Sequence, residues 1–195
     1  MEDAETFQQI EKEIDAITKK SPIKTDNSHS KNVLSWVLKF NPQADLALKI
    51  SALGHDIDRS FPELQLKREK FSAYEEYKKA HAKNSAIIID RIAAKWELND
   101  RIRAKINNLI ENHEIGGAGD LRDLNDADGI AFFTDDVLDF YISSSKHSLN
   151  FRKKIYYSYK RLSKRTKKIV KGMKFRNKEI DSIIREVINE IDKED

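Results

Sequence analysis

The sequence predicts an all-α protein. Apolar residues recur three and four positions apart along nearly the whole chain, and no stretch alternates apolar with polar residues as a half-buried strand would. Only 3 Pro and 6 Gly punctuate its 195 residues. Seven to nine helices fit this pattern.

The first helix, over 3–20, carries one stripe of Phe7, Ile10, Ile14 and Ile17. A second begins with Ser28 as N-cap, runs along Val33, Trp36, Val37 and Phe40, and ends before Pro42. Residues 44–54 form a short apolar helix, and the polar stretch 57–70 reads as a loop with one helical turn after Pro62. A long helix over 71–96 places Tyr74, Tyr77, Ile88 and Ile92 on related faces. The next, carrying Ile102, Ile106, Leu109 and Ile110, stops at Gly116-Gly117. Helical periodicity resumes over 121–143, 148–171 and 176–192, with Ile155, Tyr159, Leu162, Thr166 and Ile169 on one packing face. These segments divide into an N-terminal helix (1–24), a central helical core (25–145) and C-terminal helices packed on it (146–195).

Composition narrows the function. There is no cysteine, which excludes disulfides, thiolate metal sites and thiol catalysis, and fits a cytoplasmic protein. No apolar run reaches the ~18 residues of a membrane span, and the acidic, polar start is unlike a signal peptide. The net charge of +3 conceals blocks of −6 over 1–139, +14 over 140–178 and −5 over 179–195. The basic block could attract phosphate or nucleic acid, although a solvated helix face explains most such runs.

Four of the five histidines stand out. His29, His81 and His113 each continue an apolar stripe, as does Asp128 with Leu121, Leu124 and Phe132. His55 precedes Asp56 directly. Alone, a core histidine is usually satisfied by a neighbour. Together, buried imidazoles and carboxylates drawn from four helices form a nitrogen/oxygen shell suited to divalent transition metals. His147 lies in a polar junction and reads as exposed.

The order H…HD…H…H…D, here His29, His55-Asp56, His81, His113 and Asp128, resembles the HD-domain metal-dependent phosphohydrolase superfamily over residues 25–140. Possession of both additional histidines is similar to the binuclear subgroup. The resemblance implies two divalent ions (Mn, Fe, Ni or Co). His29, His55, Asp56 and Asp128 would bind the first, Asp56 would bridge, and His81 and His113 would complete the second. HEIGGAGD replaces the Gly-Tyr-Pro signature of cyclic-dinucleotide phosphodiesterases, and Ile57-Asp58-Arg59 differs from the acidic motif of bacterial nucleotidases.

The activity so implied is hydrolysis of a small phosphomonoester or phosphodiester by metal-activated water. Arg59, four residues after His55, would orient phosphate from a continuing helix, and Lys160 and Arg161 would reach it from the basic tail. Asp58 would accept the free N–H of a ligating histidine, and Glu114 would protonate the leaving group. Two other readings stand beside this one. The same ligand order serves di-iron oxygenases, and the basic segment could make a non-catalytic nucleic-acid or phosphate-binding module. The protein is expected to have no membrane partner.

Overall fold

A computed structural model describes residues 2–64, 66–144 and 149–194; His147 lies outside them. All regular secondary structure among the described residues is helical, without strands. Ten α-helical segments run in order: α1 (Glu2–Thr18), α2 (Asp26–Phe40), α3 (Leu46–Gly54), α4 (Tyr74–Lys95), α5 (Asp100–Asn112), α6 (Asp120–Ala131), α7 (Val137–Ser143), α8 (Leu149–Lys160), α9 (Lys164–Gly172) and α10 (Lys178–Glu194). A π turn over Phe132–Asp136 joins α6 to α7 without a break, leaving nine rods among the described residues. No helix among the described residues is long and apolar enough to cross a membrane.

The chain forms two compact units, residues 1–127 and 128–195, the division falling inside α6. In the first unit, the apolar stripe of α1 buries Ile10 and Ile14 against Ile50 and Leu53 of α3, Ile89 of α4, and Ile106 and Ile110 of α5. Polar ties fix α1 in place. Asp15 takes Lys19 at 2.7 Å, Lys31 and the Asn27 amide at 3.0 Å, and Trp96 Nε1 donates to Glu13 at 2.7 Å. Gly54 closes α3 where it meets α4: a Cβ there would stand 2.3 Å from Ile89 Cδ1. This close approach brings the residue after it, His55, against α4 and α5.

Several boundaries differ from the sequence reading. Helix α2 begins two residues before Ser28, whose hydroxyl donates to the Thr25 carbonyl instead of capping the helix. The 57–70 loop holds three 3₁₀ turns, at Ile57–Ser60, Pro62–Leu64 and Arg68–Lys70. The helix expected over 148–171 breaks between Lys160 and Lys164, so α8 and α9 present separate faces. The break lets Leu162 turn inward to lie where a Cβ on Gly129 would meet it at 2.4 Å.

The second unit is built around Phe133, Phe151, Ile155 and Tyr159, all buried. Helix α10 adds Ile180, Ile184, Val187, Ile188 and Ile191. Arg152 of α8 reaches Glu186 and Glu190 of α10 at 2.9 and 2.7 Å. The acidic C-terminal helix thus neutralises part of the basic block.

Candidate metal centre

The centre of the first unit is Asp56, held where α3 ends. His55 occupies the C-cap of α3 and Asp56 precedes the first 3₁₀ turn. Around the Asp56 carboxylate stand three imidazoles: His81 Nε2 at 2.6 Å, His55 Nε2 at 3.6 Å and His113 Nε2 at 3.8 Å. His29, from α2, lies beside them with its ring centroid 5.3 Å from that of His55. His55, His81 and His113 are buried, and His29 is only 7% exposed.

Local backbone contacts fix the tautomers. His55 Nδ1 donates to the Ala52 carbonyl at 3.0 Å, and His113 Nδ1 donates to the Ile110 carbonyl at 2.7 Å. A carbonyl only accepts, so each Nδ1 carries a proton, and Nε2 is the nitrogen each ring turns toward Asp56. His113 itself caps α5, and Asn125 of α6 clasps its carbonyl at 2.6 Å. Gly116, with φ +77°, bends the chain between them.

His81 is held differently. Its Nδ1 lies 2.8 Å from Asp58 Oδ2, while its Nε2 meets Asp56. Asp58 is anchored in turn by the Ser85 hydroxyl at 3.0 Å. Burial works to lower the His81 pKa. The charge of Asp56 and the hydrogen bonds to both carboxylates outweigh it and raise the pKa to about 9. Burial likewise works to raise the Asp56 pKa, but Arg59, His55 and His81 hold it well below the ordinary carboxylate range.

Arg59 enters by a 3₁₀ turn where a continuing helix was expected. That turn still brings its guanidinium 2.6 Å from Asp56 and 3.6 Å from Asp26. Asp26 is buried at the start of α2, and desolvation raises its pKa despite Arg59 and the Ser21 hydroxyl. Glu114 pairs with Lys78, whose Nζ lies 2.8 Å from its carboxylate. In the second unit, Asp128 of α6 is buried and engages Arg161. Lys160 is an exposed residue laid over Tyr156, with Nζ 4.9 Å from its ring centroid.

The first unit thus brings together His29, His55, Asp56, Asp58, Arg59, His81 and His113. Three contributors were not singled out from the sequence: Asp26, Lys78 and Ser85. Each lies three or four positions from a singled-out histidine on the same helix, Asp26 from His29 and the other two from His81. That spacing was the available signal.

The donor set could hold a metal ion. One donor atom from each of His55, Asp56 and His113 lies within 4.8 Å of the others. Metal–nitrogen and metal–oxygen bonds are about 2 Å, so donors on one ion stand up to about 4 Å apart. The two imidazole-to-Asp56 distances above fall inside that limit. This geometry defines the class: an all-helical protein with a buried histidine–aspartate cluster able to hold a metal ion.

Residues 5–184 match the family described as Domain of unknown function (DUF4202), and the chain belongs to it. No curated protein and no solved structure matches the chain.

Proposed function

We propose that this chain is a metal-dependent phosphohydrolase of the HD type, cleaving a small phosphomonoester or phosphodiester. The supporting observation is Asp56: one carboxylate faced by three imidazoles and a guanidinium, on oriented side chains. Nitrogen and carboxylate donors suit Mn, Fe, Ni or Co. By ligand order, His29, His55, Asp56 and Asp128 would hold one ion and His81 and His113 a second, with Asp56 shared. Bound ions would lower the pKa of a coordinated water and neutralise charge on the phosphoryl oxygens.

The chain's own residues do the rest. The backbone carbonyls of Ala52 and Ile110 engage Nδ1 of His55 and His113, which leaves Nε2 of each ring to ligate an ion. Asp58 holds the His81 Nδ1 proton, so it is the Nε2 proton that departs on ligation. Arg59 has a second carboxylate, Asp26, to orient it, and its planar fork matches phosphate oxygens. Glu114, paired with Lys78, would protonate the leaving group. Arg161 balances the buried charge of Asp128. A cytoplasmic location, where such substrates and metals occur, is part of this proposal.

Elemental analysis of protein purified without chelator tests it, followed by a phosphoester panel assayed with and without oxygen. Two transition metals per chain with oxygen-independent phosphate release support the proposal. Oxygen-dependent turnover would replace it with oxygenase chemistry. Absence of metal after reconstitution with manganese, nickel and iron would refute it. Asp56→Ala should abolish both metal binding and turnover.

A further inference from the structure

The second unit carries a positive surface that its own acids do not neutralise. Residues 164–178, which make helix α9 and the turn into α10, hold eight Lys and Arg and no acid. The exposed positions among them are all cations except Ile169, Gly172 and Asn177. Helix geometry sorts the residues of α9. Thr166 and Val170, four apart, are buried, and Lys164, Lys168 and Lys171 share the opposite face.

The acidic residues of α10 reach only part of this block. Glu186 and Glu190 meet Arg152, Asp192 meets Lys171 at 2.7 Å, and Asp181 meets Arg185 at 3.3 Å. Lys164, Lys168, Lys174, Arg176 and Lys178 are exposed and pair with no carboxylate among the described residues. The turn that carries Lys174 and Arg176 is held in shape from α10. Arg185 donates to the carbonyls of Lys171, at 2.7 Å, and of Met173. The Phe175 N–H donates to Asp181 at 3.3 Å. Like charges on one ordered segment repel one another, and a ligand with regularly repeated negative charge relieves that repulsion.

We infer that these five cations bind the phosphate backbone of a nucleic acid, without regard to its sequence. The inference goes beyond the phosphohydrolase reading and does not rest on it. What the surface lacks selects the partner. A helix that lies on a bilayer turns an apolar face to it, and protein interfaces are anchored by large apolar and aromatic side chains. Helix α9 keeps its buried side inward and exposes only Ile169, at 37%, among its apolar residues. A phosphate backbone needs no such anchor, because release of its condensed counterions supplies the affinity.

Fluorescence anisotropy of the full chain with a labelled mixed-sequence DNA duplex tests this. With five phosphates neutralised, affinity should fall about 500-fold between 50 and 200 mM salt, and a duplex of unrelated sequence should bind equally. Lys164→Ala combined with Lys168→Ala should weaken binding and lessen the slope of log affinity against log salt by about 2. Lys83→Ala combined with Arg101→Ala removes the same charge from exposed positions of the first unit and should leave that slope unchanged. No binding at the lowest salt, binding indifferent to salt, or equal losses from the two double variants overturns the inference. Capture of phosphatidylserine vesicles without binding of the duplex overturns it too, and assigns the surface to a membrane.

Discussion

As a proposed metal ligand, His81 would impose opposite pH dependences on the metal-free and the metal-loaded protein. Without metal, its imidazolium lies between Asp56 and Asp58, and burial, which favours the neutral ring, is outweighed so that the pKa rises from 6.5 to about 9. A group whose pKa is raised by folding stabilises most below its unfolded value. Here that contribution is complete below about pH 6.5 and is lost as pH climbs through 9. The side chain is only 5% exposed, so solvent screening is slight, and the displacement corresponds to roughly 3 kcal/mol. For a chain of this size that is a fall in Tm of roughly 6–12 °C. Thermal melts of chelator-treated protein from pH 6 to 9.5 measure it. Asp58→Asn keeps an acceptor for Nδ1 but removes one charge, so its melts should start lower and slope less. Ligation by His81 would change the sign, because it needs the Nε2 proton gone, so metal affinity should rise over the same interval. Chelated protein whose Tm is flat or rising from pH 6.5 to 9, with Asp58→Asn indistinguishable from wild type, would refute this account of His81.

Other sites yield further expectations. Gly54→Ala puts a methyl 2.3 Å from the fully buried Ile89 side chain and should cost about 1–3 kcal/mol in urea unfolding; Ile89→Val in the same chain should recover part of it. The hydrogen bonds of Lys19, Lys31 and Asn27 lower the Asp15 pKa. Their stabilisation is therefore present above the usual aspartate range and fades as pH falls through the lowered value, so Asp15→Asn should lower the urea midpoint at pH 6 and matter progressively less in acid. Arg161→Ala leaves the buried Asp128 carboxylate without its guanidinium, the side chains being 13% and 11% exposed, and should cost about 3 kcal/mol by chemical denaturation; an unchanged midpoint would mark Arg161 as a solvated residue. Arg152→Ala breaks pairs whose acidic partners are more than half exposed, so its cost should stay below about 1 kcal/mol.

Helices were legible wherever one apolar stripe met one core. The Ile10–Ile14 face of α1 and the Ile106–Ile110 face of α5 read directly, because three-and-four spacing is what a helix needs to bury a face. The departures fall where a different interaction decided. The apolar positions Ile155, Tyr159, Leu162 and Ile169 keep helical phase through residues 161–163, so periodicity alone ran α8 into α9. The break is a tertiary matter: Leu162 settles beside Gly129, 33 positions away. Similarly, the 3₁₀ turns of 57–70 have no apolar period long enough to register.

The candidate site shows the same division at the level of single side chains. The imidazoles read from sequence because each continues an apolar stripe, and an apolar stripe says where a side chain points. Arg59 was legible as a residue but not in its geometry. Four residues after His55 suggested a helical face, whereas the chain leaves α3 at Gly54 and reaches Asp56 through an i, i+3 contact. Lys78 and the tyrosines beside it were hidden for the opposite reason. Tyr74 and Tyr77 fit the periodic pattern of a buried face, and periodicity cannot distinguish burial in a core from half-burial at the mouth of a site. What separates them is the company they keep. Ile88 and Ile92 of the same helix pack among isoleucines, while Tyr77 stacks on His81 and lies within the field of Arg59 and Asp56. One helix thus carries a core along its C-terminal half and one wall of a charged site along its N-terminal half. The change of role falls at His81, whose two nitrogens are both engaged by carboxylates.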